Sequence, residues 1–287
     1  MALRPARIGR REDMIAAQRD AFLAQIGQKP LLMGILNLTP DSFSDGGRFF
    51  EVGAAVAQAR KLVEDGADIV DVGAESTRPG ATPVPLDEEL ARIEPVLGAV
   101  RAAIDVPISI DTYKAAVARR AVELGACVVN DVWGLQHDPA MADTVAETGA
   151  AVAIMHNRDG ADATIDILDH MRRFFDASLE RASRAGIARK HIMLDPGIGF
   201  GKTQVQNLQA LQGLAHFGDY GLPMLIGVSR KSLLGAVLST AVDQRLIGTI
   251  AANLAAAARG GKIFRIHDVA GHVAAFKVFE AIRNGRI

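Results

Sequence analysis

The chain has 287 residues, 49% hydrophobic and 23% charged, and 32 basic side chains set against 33 acidic ones leave a formal net charge of -1. Such a composition excludes a disordered or fibrous protein, and the length can bury a large core in one α/β barrel or two medium domains. Near-neutrality gives no field for nucleic acid or an anionic membrane surface, so any anion site must be a local cluster.

Cys127 is the only cysteine and lies in the apolar run Ala126-Cys127-Val128-Val129, so it reads as a small buried hydrophobe in a reducing cytoplasm. At the N-terminus Arg4, Arg7, Arg10 and Arg11 meet Glu12 and Asp13 with no apolar segment between, and no signal or transit peptide is expected. The longest apolar stretch, Leu246 to Ala258, contains Gly248, Thr249 and Asn253 and is too short to span a bilayer.

Along the chain, Arg11 to Ile26 has a weakly amphipathic helical pattern stopped by Gly27-Gln28-Lys29-Pro30, and residues 1–30 are read as an N-terminal extension. From Leu31 onward short apolar runs alternate with longer helical patterns. The spacing predicts strands at 31–36, 68–72, 107–110, 127–129, 151–155, 192–194, 224–228 and 263–266. Helices are expected at 52–65, 87–103, 115–124, 139–148, 165–185, 204–214, 233–259 with a break, and 272–283. Eight βα units in residues 31–287 predict a single-domain (β/α)8 TIM barrel; an open doubly wound sheet is the other topology compatible with the alternation.

Every expected strand ends in hydrogen-bonding or ionisable groups: Asn37, Glu75, Asp111, Asn130 with Asp131, His156 with Asn157, Asp195, Ser229 to Ser232, and Arg265 with His267 and Asp268. Barrel βα loops share one rim, so these groups should converge on one cavity. Helix N-capping is the better account of Asp111, Asp131 or Asp268 taken singly. It does not account for Lys231, Arg265 and His267, whose positive charges would oppose a helix dipole; these three are read as facing an anion. The Ser229-Arg230-Lys231-Ser232 cluster ends a buried run just before a helical pattern, where an anion is favoured.

Two strand-to-helix connections, 37–49 and 75–83, are far longer than a βα turn requires and read as loops that close over a substrate. In Asp195-Pro196-Gly197-Ile198-Gly199-Phe200-Gly201-Lys202-Thr203 the P-loop spacing fails by one residue, which removes nucleoside triphosphate binding. Its glycines would let the backbone approach a flat ligand.

Residues 33–47, Glu75-Ser76-Thr77-Arg78-Pro79-Gly80, the 195–203 segment, 229–232 and Arg265-Ile266-His267-Asp268-Val269 together resemble the dihydropteroate synthase family, in the family's order. The resemblance implies a transferase of folate biosynthesis, usually a homodimer. It would join a dihydropterin methyl diphosphate to p-aminobenzoate, losing pyrophosphate before the amine attacks. Carried over by motif, Asp195 accepts from the amino-pyrimidinone edge, Asp111 and Asn130 hold other edges, Met155 lines the ring face and Lys231 donates to its acceptors. A buried Asp195 and Lys231 side by side would offset each other's desolvation. Arg265, His267, Thr77 and Asn37 would meet the diphosphate, Asn37 also as the ligand of Mg²⁺. Phe43, Thr77, Arg78, Pro79 and Phe200 would form the p-aminobenzoate slot, with its carboxylate at Ser232 and sulfonamides as competitors. The implied catalytic set is Asp111, Lys231, Arg265 and His267.

Departures are Trp133, expected under a helix, and Met155-His156-Asn157-Arg158 after the fifth strand, where His156 reads as structural. A pterin-binding methyltransferase domain and a silent pterin-binding paralogue are the competing readings.

Overall fold

The structure is a computed structural model and describes residues 8–38, 47–75 and 82–286. Eight strands run β1 (Leu31–Asn37), β2 (Ile69–Gly73), β3 (Ile108–Asp111), β4 (Val128–Asp131), β5 (Ala151–Met155), β6 (Ile192–Asp195), β7 (Met224–Ile226) and β8 (Gly261–Ile266). Each pairs in parallel with the next, and β8 pairs with β1 to close the barrel. The expected barrel is therefore present and the open sheet is not. Helices cover the outside: α1 (Ile8–Gln25), α2 (Gly47–Glu64), α3 (Leu86–Ala103), α4 (Ala115–Glu123), α5 (Met141–Thr148), α6 (Ile167–Ala185), α7 (Gln204–Gln212), α8 (Ser232–Leu238), α9 (Leu246–Ala257) and α10 (Val269–Asn284).

Burial on both faces explains why the strands read as near-continuous apolar runs. Local chemistry sets several helix ends. Asp166 accepts from the amides of Leu168 and Asp169 at the start of α6, and left-handed Gly186 ends that helix. Thr203 and Gln206 form a capping box on α7.

Two differences from the expected elements lie beside the site. β7 stops at Ile226, its register with β8 shifting between Met224 and Leu225. The 233–259 pattern divides into α8 and α9 around a 3-10 turn at Val242–Gln244.

α1 covers the end of the barrel opposite the strand C-termini. Its Arg19 donates to the carbonyl of Gly149, just ahead of β5, and its Phe22 is wholly buried in the main core. Burying one such ring contributes about 1.5–3 kcal/mol to holding the helix there. Among the described residues no helix is long and apolar enough to cross a membrane.

Candidate active site

Register builds the site. Parallel pairing sets Asn37 beside Gly73, Gly73 beside Asp111, and Asp111 beside Asn130, so four consecutive strand ends share one polar layer. Met155 pairs with Asp195 farther round the rim.

The strongest feature of the layer is a guanidinium between two carboxylates. Arg265 Nε donates to Asp71 Oδ2 at 2.6 Å, and its Nη2 donates to Asp111 Oδ2 at 2.6 Å. Asn130 Nδ2 donates to the same Asp71 oxygen at 3.3 Å. Two of the three Arg265 nitrogens thus already serve carboxylates. Burial pushes Asp111 up to about 7; Arg265 and Lys231 pull it down, while Asp71 and Glu89 add to the rise. Burial opposes the Arg265 charge, but Asp71 and Asp111 outweigh it and hold that group above its ordinary value.

Four buried polar atoms around this layer have no partner among the described residues: Asp71 Oδ1, Ser109 Oγ, Asp111 Oδ1 and Asn130 Oδ1. Three are pure acceptors and the hydroxyl can accept. Buried acceptors left open in one place suit a ligand edge rich in N–H donors.

Asp195 ends β6 and is buried, its Oδ1 accepting from Gly197 N at 2.7 Å. Burial raises its pKa against the pull of Lys231. Lys231 reaches in from the start of α8: its ammonium donates to the carbonyl of Ile198 and lies 4.6 Å from the centre of the Phe200 ring. Burial lowers Lys231 to about 8; Asp195 and Asp111 resist the shift and Arg265 reinforces it. Asp195 and Lys231 flank Gly227, where a Cβ would sit 3.8 Å from Asp195 Oδ2 and 3.6 Å from Lys231 Nζ. The two thus face each other across a glycine, and the Ile198 carbonyl, rather than the carboxylate, takes the lysine's hydrogen bond.

Lys202, not assigned from sequence, organises the glycine loop. Its buried ammonium donates to the carbonyls of Gly197 at 2.8 Å and Phe200 at 3.1 Å and meets His156 Nδ1 at 2.7 Å. An ammonium only donates, which makes Nδ1 of His156 the acceptor and leaves its Nε2–H to donate to His170 Nδ1 at 2.9 Å. Burial depresses both Lys202 and His156 well below their ordinary values. The structural reading of His156 agrees with this network. Gly197, Gly199 and Gly201 all have positive φ. Their closest neighbours are His156 O, the Lys231 stem and Arg158, so these glycines admit the protein's own chain and not only a ligand.

An apolar wall completes the cavity. Val132, Met155 and Phe200 are buried together, with Tyr113 and Trp133 packed against them. Trp133 accordingly belongs to the rim, contrary to its expected place under a helix.

His267 Nδ1 lies 2.9 Å from Ser229 Oγ, and that oxygen also accepts the His267 backbone N–H at 3.2 Å. Arg230, read from sequence as part of an anion cluster, is instead paired with Asp268. Ser232 is the exposed first residue of α8, 3.4 Å from Gln204 Nε2. Phe43, Thr77, Arg78 and Pro79 lie outside the described residues.

For a metal, Asn37 offers one amide oxygen, half-buried at the end of β1. No group of three His, Cys, Asp or Glu among the described residues could hold an ion. That donor set fits Mg²⁺ that keeps its waters and draws oxygens from a bound diphosphate, and does not fit a preformed cage.

Asp71 and Lys202 are the residues that sequence reasoning missed. A signal existed for the first, an acid inside the apolar strand Ile69-Val70-Asp71-Val72.

Comparison with known proteins agrees with this geometry. The family model described as "Pterin binding enzyme" matches residues 33–267. A dihydropteroate synthase of Bacillus subtilis is 44% identical over 257 residues, covering 90% of each chain. A Clostridium difficile dihydropteroate synthase solved in the presence of pteroic acid superposes with a TM-score of 0.87 at 47% identity, covering 90% of this chain and 98% of that one. A Xanthomonas albilineans dihydropteroate synthase with 4-aminobenzoic acid superposes at 0.85 with 43% identity, covering 89% and 93%. With barrel, acceptor layer and motifs in agreement, the chain belongs to the pterin-binding enzyme family, among its dihydropteroate synthases.

Proposed function

We infer that this chain condenses (7,8-dihydropterin-6-yl)methyl diphosphate with p-aminobenzoate, giving 7,8-dihydropteroate and pyrophosphate. The observation that carries the reading is the set of buried open acceptors at Asp71, Ser109, Asp111 and Asn130 beside Asp195 and Lys231. A pterin presents adjacent N–H donors and a carbonyl on one flat edge, and those groups are complementary to it.

In this assignment Asp195 accepts the amino-pyrimidinone N–H pair, Lys231 donates to the ring's acceptors, and Asn130 and Asp111 hold the remaining edge. Met155 and Phe200 cover the ring faces. Arg265, with Nη1 left beyond its two carboxylates, and His267 meet the diphosphate. Asn37 would hold Mg²⁺, which supplies charge neutralisation to the leaving group. As pyrophosphate leaves, positive charge develops on the pterin methylene, and Asp111 faces it as an anion. The neutral aniline nitrogen then attacks, its ring in a slot of Phe43, Thr77, Arg78, Pro79 and Phe200 with its carboxylate near Ser232; Thr77 also reaches the diphosphate. Residues 31–287 form the pterin-binding domain, and residues 1–30 are an extension of it. Exposed Val205, Leu208, Val237, Ile247, Val278 and Ile282 on successive outer helices α7 to α10 support a homodimer through that face. The buried free thiol of Cys127 supports a cytoplasmic setting.

The test is incubation of purified protein with both substrates and Mg²⁺, following dihydropteroate by mass spectrometry beside a Lys231→Ala control. Product that disappears in the control is the expected result. Tight pterin binding without product would replace this reading with a silent paralogue or a methyltransferase-like domain.

A further inference from the structure

Arg230 is one of three described residues other than glycine with positive φ, at 57°, and it lies between the cavity-facing Ser229 and Lys231. A side chain makes this left-handed conformation unfavourable, so something must hold it.

Three elements do. From α9, Thr249 Oγ1 accepts the Arg230 N–H at 3.2 Å. From the turn before α9, Arg245 Nη1 donates to the Arg230 carbonyl at 3.0 Å, with the Lys231 carbonyl at 3.4 Å. From the start of α10, Asp268 takes the Arg230 side chain through two hydrogen bonds, Nε to Oδ2 at 2.9 Å and Nη2 to Oδ1. Gly235 makes room for this, because a Cβ there would fall 2.3 Å from Arg245 Nη2.

Chain direction turns this clamp into an aiming device. With Arg230 drawn outward, its neighbours face the cavity: Ser229 meets His267, and Lys231 reaches the Ile198 carbonyl over Phe200. Asp268 directly follows His267, so the same ion pair also joins the loops after β7 and β8.

We propose that Arg230 and Asp268 are a positioning pair, which with Arg245 holds residue 230 in its left-handed turn and so aims Lys231 and Ser229 at the reaction cavity. The proposal rests on the dihydropteroate synthase reading above for its kinetic consequence. Its geometric consequence does not. If the turn relaxes, the Lys231 ammonium loses its burial, which is the largest influence on its proton affinity, beside Asp195, Arg265 and Asp111.

The test uses the full chain with Asp268→Asn, Arg230→Gly and Arg230→Ala. Asp268→Asn should lower kcat by about 10- to 100-fold, the scale of a misplaced catalytic group. It should also move the alkaline limb of kcat/KM upward, toward an ordinary lysine. Glycine adopts the turn without being held, so Arg230→Gly should retain more activity than Arg230→Ala; a purely structural ion pair predicts no such order. Activities are referred to folded protein by circular dichroism at the assay temperature. In parallel, pteroic acid affinity is measured against pH by calorimetry, where Asp268→Asn should shift the alkaline midpoint upward. A wild-type kcat and an unmoved midpoint in Asp268→Asn, or Arg230→Ala matching Arg230→Gly, would overturn the proposal. Wild-type protein that makes no product would instead defeat the enzymatic reading, and the pteroic acid midpoint would still decide the pair.

Discussion

Arg265 on the last strand donates Nε–H to Asp71 on the second strand at 2.6 Å, across the intervening β1, while its Nη2 holds Asp111. The pair therefore ties the closing seam of the barrel to the polar layer of the site. Removing one partner of a buried ion pair leaves an uncompensated charge, at a cost of about 3–5 kcal/mol. The second carboxylate on Arg265 places Asp71→Ala near the lower figure, read as a reduced urea midpoint. Asp71→Asn keeps the shape and should lose less stability than Asp71→Ala; equal losses would show that packing, and not charge, is what Asp71 contributes.

Asp111→Asn preserves size and removes the anion proposed above to face the developing cation. Turnover should fall by about 100-fold or more, the scale of losing one electrostatic stabiliser. Pterin affinity, measured by calorimetry, should change far less. Equal losses in both would assign Asp111 to ring binding alone.

The pH profile of kcat/KM should be bell-shaped. Asp111 is raised from its ordinary value to about 7, so its anion is lost as pH falls through that value. Lys231 is lowered to about 8, so its donor proton is lost as pH rises through that value. Maximum activity should lie between them. Asp111→Asn should abolish the acid limb, and its persistence in that variant would refute the assignment.

Gly197 has φ 63°, and a Cβ there would come 1.9 Å from the His156 carbonyl oxygen. Gly197→Ala must displace either β5's loop or the amide that Asp195 Oδ1 accepts. It should cost about 1–3 kcal/mol of stability and weaken pterin binding more than it changes the kcat of saturated enzyme. Normal affinity in a folded Gly197→Ala protein would separate this loop from the pterin edge.

Chelation of divalent metal should suppress turnover and weaken diphosphate-substrate binding, yet leave the melting temperature of the substrate-free protein unchanged. The donor set at Asn37 suits an ion that arrives with the diphosphate. A fall in the substrate-free melting temperature on EDTA treatment would point to a preformed metal cage instead.

By itself the sequence determined the eight alternating βα units, the rim and the chemical type of the site, while closure into a barrel rather than an open sheet was decided by β8 pairing with β1. Strands buried on both faces appear as apolar runs at regular spacing, and the residue after each run must sit on the barrel's C-terminal rim, so Asp111, Asn130, Asp195 and Lys231 were legible as one cavity. What only the tertiary structure decided was which charges pair. Asp71 and Arg265 are 194 positions apart, and the register of eight closed strands, which no local period encodes, brings them together. The same limit explains Arg230: adjacency to Lys231 suggested one cationic cluster, but a left-handed backbone turn sends the two side chains to opposite sides, one to Asp268 and the other into the site. Lys202 was hidden for a related reason, since its partners, the glycine-loop carbonyls and His156, surround it only after β5 and β6 lie side by side.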